Sequence, residues 1–225
     1  MKIKWGAFVT DGRGKIGGHV ASKNAAGAFF RTKVTPTNPN TPRQSAARAL
    51  FGLISQGWSA LTEGQRDAWN GAVTEWQKTN VFGDLKKPTG KALYQRLNNQ
   101  AQSAGLPAVT DVPAKGELPD AIVTAAEVAI GAGTITLTGV DTDAATQVVV
   151  WGTAPLSAGT SVPGSKLRQL YAVAGDSYTA TDAYTAYTDK YGAPSAGDNI
   201  FIGVQYVIGT GQASPIQSLQ ASVLA

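Results

Sequence analysis

The sequence predicts an α+β protein in three parts: an N-terminal extended or β arm, a small three-helix domain and a C-terminal antiparallel β-sandwich. Three observations lead there. Residues 1–40 alternate short apolar pieces with glycine and basic residues. Residues 41–105 show helix-start signals followed by apolar positions at helical spacing. Residues 121–225 hold short β-branched and aromatic runs separated by turn residues, the pattern of an antiparallel sandwich.

In the arm, alternation in Lys2-Ile3-Lys4-Trp5 and in Phe30-Arg31-Thr32-Lys33-Val34 predicts strands. Three strands, in "IKWGAFV", "KIGGHVAS" and "GAFFRTKV", would form a meander with little apolar surface of its own, which must pack on something else. "TPTNPNTP" then stops regular structure, because its three prolines deny backbone donors and favour extended geometry.

The helical domain, 41–105, opens on Thr41-Pro42-Arg43-Gln44, a capping box with proline at the first helical position. Leu50, Leu53, Ile54 and Trp58 follow as its apolar stripe. A second capping box, Thr62 to Gln65, starts a helix whose face carries Trp69, Val73 and Trp76. A third helix starts at Thr89, has Leu93, Leu97, Ala101 and Ala104 as its stripe, and stops at Gly105-Leu106-Pro107. Periodicity makes the tryptophans core residues in the first instance; an exposed ligand platform is the other reading. Residues 106–120 hold three prolines without apolar periodicity and read as a linker.

In the sandwich the candidate strands are "EVAIGAGTITLTGV", "TQVVVWGTA", "RQLYAVAGD", "NIFIGVQYVIG" and "IQSLQASVLA". "VVVW" and "IFIGVQYVI" are dense enough for strands that are central or buried on both faces. The polar stretch 175–192, with Tyr178, Tyr184, Tyr187 and Tyr191, reads either as a long loop offering contact tyrosines or as an edge hairpin packed on its own domain.

Composition narrows the function. A chain of 225 residues with 43% hydrophobic and 15% charged residues can build a real core. Cysteine is absent, which excludes disulfides and thiolate metal sites, and the single histidine, His19, makes a zinc centre or an imidazole relay improbable. His19 is therefore read as a structural or interface residue. No export signal and no apolar run of about 18 residues is found, so the expectation is a protein made in the cytoplasm with no membrane partner. Net charge is +4, unevenly spread: residues 1–48 carry nine basic groups against Asp11 alone, and the remainder ten basic against fourteen acidic. A basic arm on a mildly acidic body seeks an acidic surface, either nucleic acid or a neighbouring subunit.

Motifs for chemistry fail on inspection. Gly12, Gly14 and Gly17 have G-x-G-x-x-G spacing, yet no helix cap follows and no Asp or Glu occurs between Asp11 and Glu63 to hold a ribose. These glycines are read as turn and close-contact residues between strands. Asp141-x-Asp143 lacks the glycine and distal glutamate of a calcium loop, and Glu63, Asp67 and Glu75 suit early helical turns rather than acid–base pairing. No catalytic residue, cofactor or metal ligand is assigned. The arm's Trp5, Phe8, Phe29 and Phe30 suit either strand packing or stacking on single-stranded nucleic acid.

Two segments, "GRGKIGGHVASKNAAGAFFRTKVTPTNPNTPRQSAARALF" and "WSALTEGQRDAWNGAV", resemble a module of virion-associated proteins of tailed bacteriophages and prophages. The resemblance covers roughly residues 10–80 and brings no catalytic residues; residues 121–225 resemble, in architecture alone, the immunoglobulin-like or fibronectin-like sandwiches appended to phage structural proteins. It implies a non-enzymatic virion structural protein, capsid-associated or decorating, or a neck or tail component. Its partners would be other virion proteins (major capsid, portal, neck or tail subunits), with homo-oligomers in the particle. The partner-binding residues expected are Arg13, Lys15, Arg31, Lys33, Arg43 and Arg48, with Tyr184 and Tyr187 on the sandwich. The alternatives are a nucleic-acid-binding protein that uses the basic arm and a host-surface or glycan adhesin that uses the sandwich.

Overall fold

The computed structural model describes residues 1–4, 6, 12–35, 37–118, 123–129, 131–139, 142–157, 159–179 and 181–224, the last three by backbone alone. Trp5, Phe8, Asp11 and Asp141 lie outside the described residues. The architecture is α+β, with sheets towards both ends of the chain and helices between them.

The arm is a four-stranded antiparallel sheet, ordered β1 (Lys2–Ile3), β4 (Gly27–Thr32), β3 (His19–Asn24), β2 (Gly14–Ile16). The piece expected as one strand, "KIGGHVAS", is two. Gly17, at φ 56°, reverses the chain so that Ile16 pairs with His19, the geometry a two-residue hairpin loop demands. The sheet buries little, Ala21 and Ala28 being its fully covered apolar residues.

The three expected helices form: α1 (Pro42–Ala60), α2 (Glu63–Ala72) and α3 (Gly90–Ser103). Both capping boxes close. The Thr41 and Thr62 hydroxyls accept from Gln44 N and Gln65 N at 3.3 Å each. At the end of α3, Gly105 takes φ 81° while Leu106 N donates to Ala101 O and Gly105 N to Gln102 O, a Schellman stop. Two details depart from the periodicity. Leu53 is 60% exposed, so the buried face of α1 runs through Leu50, Ile54 and Trp58. In addition, α2 ends at Ala72, and Trp76 reaches the core from the turn beyond it. A short hairpin, β5 (Lys78–Thr79) and β6 (Leu85–Lys86), follows; its loop is tied by Asn80 Oδ1, which accepts from Phe82 N and Asp84 N.

The C-terminal strands are β7 (Val123–Ala129), β8 (Thr134–Gly139), β9 (Gln147–Gly152), β10 (Arg168–Ala174), β11 (Ile200–Val207) and β12 (Gln217–Leu224), in the order β10-β9-β11-β12-β7-β8. The ladder is antiparallel except at β7–β12, which is parallel. That corrects the all-antiparallel expectation: these are the first and last strands of the region, and no hairpin fixes their relative direction. Residues from β7 and β8 share one core with Val148, Val150, Ile202 and Tyr206 of β9 and β11, so the ladder curls around it. β9 and β11 are also covered outside, where Ala104 and Leu106 pack with Val149, Val207 and Trp151. This explains their dense apolar runs.

The 106–120 segment is not a free tether. Asn98, fully buried, donates through Nδ2 to Val109 O at 2.9 Å and accepts Val109 N through Oδ1 at 2.8 Å. Trp69 Nε1 donates to Thr110 O at 2.9 Å. Gly116 N donates to Gln212 Oε1, and Gln212 Nε2 returns a bond to Gly116 O. The prolines deny this stretch a ladder, and side chains satisfy its backbone instead. Asn98→Ala should cost about 2–4 kcal/mol, since it leaves a buried N–H and C=O unpaired. Urea unfolding at unchanged m-value checks this; a loss below about 1 kcal/mol would mean that the segment is held elsewhere.

Candidate functional site

In an antiparallel sheet, residues paired across strands lie on one face. Lys15 pairs with Val20, which pairs with Arg31. The neighbouring row on the same face holds Lys2, Phe29 and Ser22. The outer face thus carries exposed Lys2, Lys15 and Arg31 around half-buried Phe29 and Val20. Ala21, Ala28 and Ile3 occupy the opposite, inner face. Arg13 and Lys33 are exposed at the ends of β2 and β4. Among the described residues of 1–48 there is no carboxylate.

The two remaining cations of the expected set have local duties. Arg48 donates from Nη2 to Asn38 Oδ1 at 2.7 Å and from Nη1 to Asn40 Oδ1 at 3.2 Å. It thereby holds the turn in which Asn40 takes the left-handed φ of 51°. Arg43, at the start of α1, lies near the C-terminal domain, where it and Arg168 disfavour the charge on Lys190. Lys190 itself donates to Gln169 O. The sequence could not show this basic corner, because its members lie far apart along the chain.

The tyrosine stretch is neither a long loop nor a hairpin. Residues Tyr184–Tyr191 form a helix, α4. Tyr187 is fully buried, its hydroxyl donating to Thr153 O at 3.0 Å, and is therefore withdrawn as a contact residue. Tyr184 is half-buried against the same core. The cause is Asp182, whose Oδ1 accepts from Ile135 N and Tyr184 N and so pins the start of α4 to β8. Tyr178 is also buried, packed edge-on against Tyr206.

The early glycines belong to a strand–turn–strand, not to a phosphate-binding turn before a helix. A Cβ added at Gly14, Gly17 or Gly18 would meet nothing within 4 Å, so they serve the turn and not a close approach. His19 is exposed at the start of β3. Among the described residues no cluster of His, Asp and Glu could hold a metal ion, and no helix is long and apolar enough to cross a membrane.

Missing from the sequence reading is a second basic region, between the arm's inner face and the helical domain. Lys4 pairs with Asp84 at 3.4 Å, the sole ion pair among the described residues. Asn80, donating to the carboxyl, and Lys4 beside it hold Asp84 below the usual carboxylate range. Lys23 and Lys86 line the same cleft of about 440 Å³. No single run of sequence announces this cluster; pairing of the arm with the β5–β6 hairpin assembles it.

No protein-family model matches this chain, and neither curated proteins nor solved structures give a significant match.

The basic corner makes a pH prediction. Burial, then Arg43 and Arg168, lower the Lys190 pKa from the ordinary 10.5 to about 8. Between those values the unfolded chain binds more protons at this site, so its contribution to stability rises with pH. Burial pushes Tyr171 up to about 12 and Tyr187 higher still, which gives the opposite slope once pH passes the ordinary tyrosine value of about 10. The wild-type Tm should therefore gain on that of Lys190→Met between about pH 8 and 10. A constant difference across that window would refute the shift.

Proposed function

We propose that this chain is a non-enzymatic structural protein of a tailed-phage particle, seated on neighbouring virion subunits through the outer face of its N-terminal sheet. The observation that carries the reading is that face: Lys2, Lys15 and Arg31 set around Phe29 and Val20, in an arm whose sequence holds a single carboxylate, Asp11. A cationic rim around an apolar patch suits an acidic protein surface, where charge steers the encounter and apolar area holds it.

Three further features favour a protein partner here. Ile16, Val34, Phe51 and Leu53 are each more than half exposed and all fall between residues 16 and 53. Residues 31–35 and 37–43 are exposed throughout, as are most of the first two turns of α1. A segment so little covered by its own chain gains most from a neighbouring surface. The resemblance of residues 10–80 to virion-associated modules points the same way. The adhesin reading loses its main support, because Tyr187 is buried and Tyr184 half-buried.

Quantitative mass spectrometry of purified particles tests the proposal. The chain should be present at a fixed ratio to the major coat protein, near unity for a decoration or minor-capsid role and small for a neck or tail role. Its absence from particles would sink the reading. Lys15→Glu/Arg31→Glu should remain folded yet enter particles roughly tenfold less, the effect of losing about 1.4 kcal/mol of docking free energy.

A further inference from the structure

The cleft beside Lys4 continues into two more. A second cavity, of about 360 Å³, shares Ala26 and Lys86 with the first and adds Lys78, Lys87, Arg96 and Trp76 to its walls. A third, of about 170 Å³, shares Trp76, Lys78 and Arg96 with the second and adds Lys115. The three form one track, lined by cations along its length. Asp84 is the sole carboxylate in its walls and is already engaged by Lys4 and Asn80. Glu75 and Glu117 sit close by in sequence but line none of the cavities.

The cations beyond Lys4 have no ion-pair partner among the described residues. Arg96 lies half-buried with its guanidinium 5.5 Å from the centre of the Trp76 ring. Trp76, 5% exposed, walls two of the cavities, and its buried indole N–H has no acceptor among the described residues. Thr89 caps α3 where the second cavity meets that helix, its hydroxyl accepting from Ala92 N at 3.2 Å, so the positive end of the helix faces the same space. A cationic track with a half-buried guanidinium at its centre suits anionic groups arriving in series.

In the second cavity the walls between the cations are apolar, whereas Asn80 borders the first and Gln77, Gln100 and Gln212 the third. Ala25, Ala26, Pro88, Ala92 and the Trp76 ring line the second cavity, and Phe82, 42% exposed beneath Lys4, borders the first. A strand of nucleotides repeats one phosphate and one planar, largely apolar base, matching that alternation. An acidic peptide would set polar amides against those walls. We propose that this track binds single-stranded nucleic acid without sequence preference, phosphates meeting the lysines and Arg96, and bases resting on the apolar walls. It lies on the inner side of the N-terminal sheet, which bears Lys23 and Ala28, so it is separate from the outer face assigned to protein docking.

Fluorescence anisotropy of a labelled oligothymidylate titrated with the whole chain tests this. Engagement of about five phosphates gives a log–log salt slope near −3.5, so affinity should fall roughly a hundredfold between about 50 and 200 mM salt. Lys78→Gln/Lys86→Gln/Lys87→Gln changes exposed or half-exposed side chains and should keep the fold. It should weaken binding tenfold or more and flatten the slope, whereas Lys15→Gln/Arg31→Gln should change it less than twofold. The assignment would be overturned by no binding at the lowest salt, by loss confined to the Lys15/Arg31 variant, or by equal displacement by polyglutamate, which would make the ligand an acidic peptide. Displacement by submillimolar inorganic phosphate would likewise overturn it in favour of a small-anion site.

Discussion

Residues 106–116 are the constraint on which the relation between helices and sheet depends. They carry prolines, so their backbone cannot join a ladder and must be satisfied one group at a time. Asn98 does this with paired bonds to Val109, Trp69 with one to Thr110, and Gln212 with a pair to Gly116. The donors and acceptors come from α2, α3 and the loop after β11, so one strip of chain fixes three elements together. Gly211 completes the joint: a Cβ there would lie 2.3 Å from Leu97 O, and its φ is 78°. The loop after β11 therefore closes on α3 only because that residue is glycine.

The N-terminal sheet depends on the rest of the molecule in a different way. With Ala21 and Ala28 as its fully buried apolar side chains, it has little hydrophobic holding energy, and Lys4 supplies its ion pair and ring contact to the β5–β6 hairpin. An exposed ion pair contributes little stability. The sheet's seat on the rest of the molecule is thus small in apolar area, made through Ala21 and Ala28 on the inner face, while Lys2, Lys15 and Arg31 stay exposed on the outer one.

Where the cations sit separates two kinds of contact. On the outer face they ring apolar side chains on a shallow sheet, the surface proposed to dock on a folded partner. On the inner side they line adjoining cavities with an indole and a guanidinium in their shared walls, the track proposed for a chain of small anionic units. The Arg43–Arg168–Lys190 corner forms a third concentration, where burial first and the neighbouring like charges second lower the Lys190 pKa. The electrostatic character of the molecule arises from these local arrangements and not from its net charge of +4.

By itself the sequence determined what depends on neighbours along the chain. Thr41, Thr62 and Thr89 mark helix starts because a hydroxyl reaches the third amide beyond it, and Gly105 marks a stop because it tolerates positive φ. The apolar runs became strands for the same local reason, alternation or density of β-branched residues, although the run expected as one strand from Glu127 divides into the end of β7 and the whole of β8. Tertiary structure decided what depends on contacts between distant segments. It turned the linker into a strut through Asn98 and Gln212, and made α4 by fixing Asp182 to Ile135 N, which buries Tyr187. It set β7 parallel to β12 and gathered Lys4, Lys86, Lys78 and Arg96 along one track. Caps and periodicity are short-range and can be read from spacing; charge clusters and buried polar bonds join residues tens of positions apart, and only packing brings them within reach.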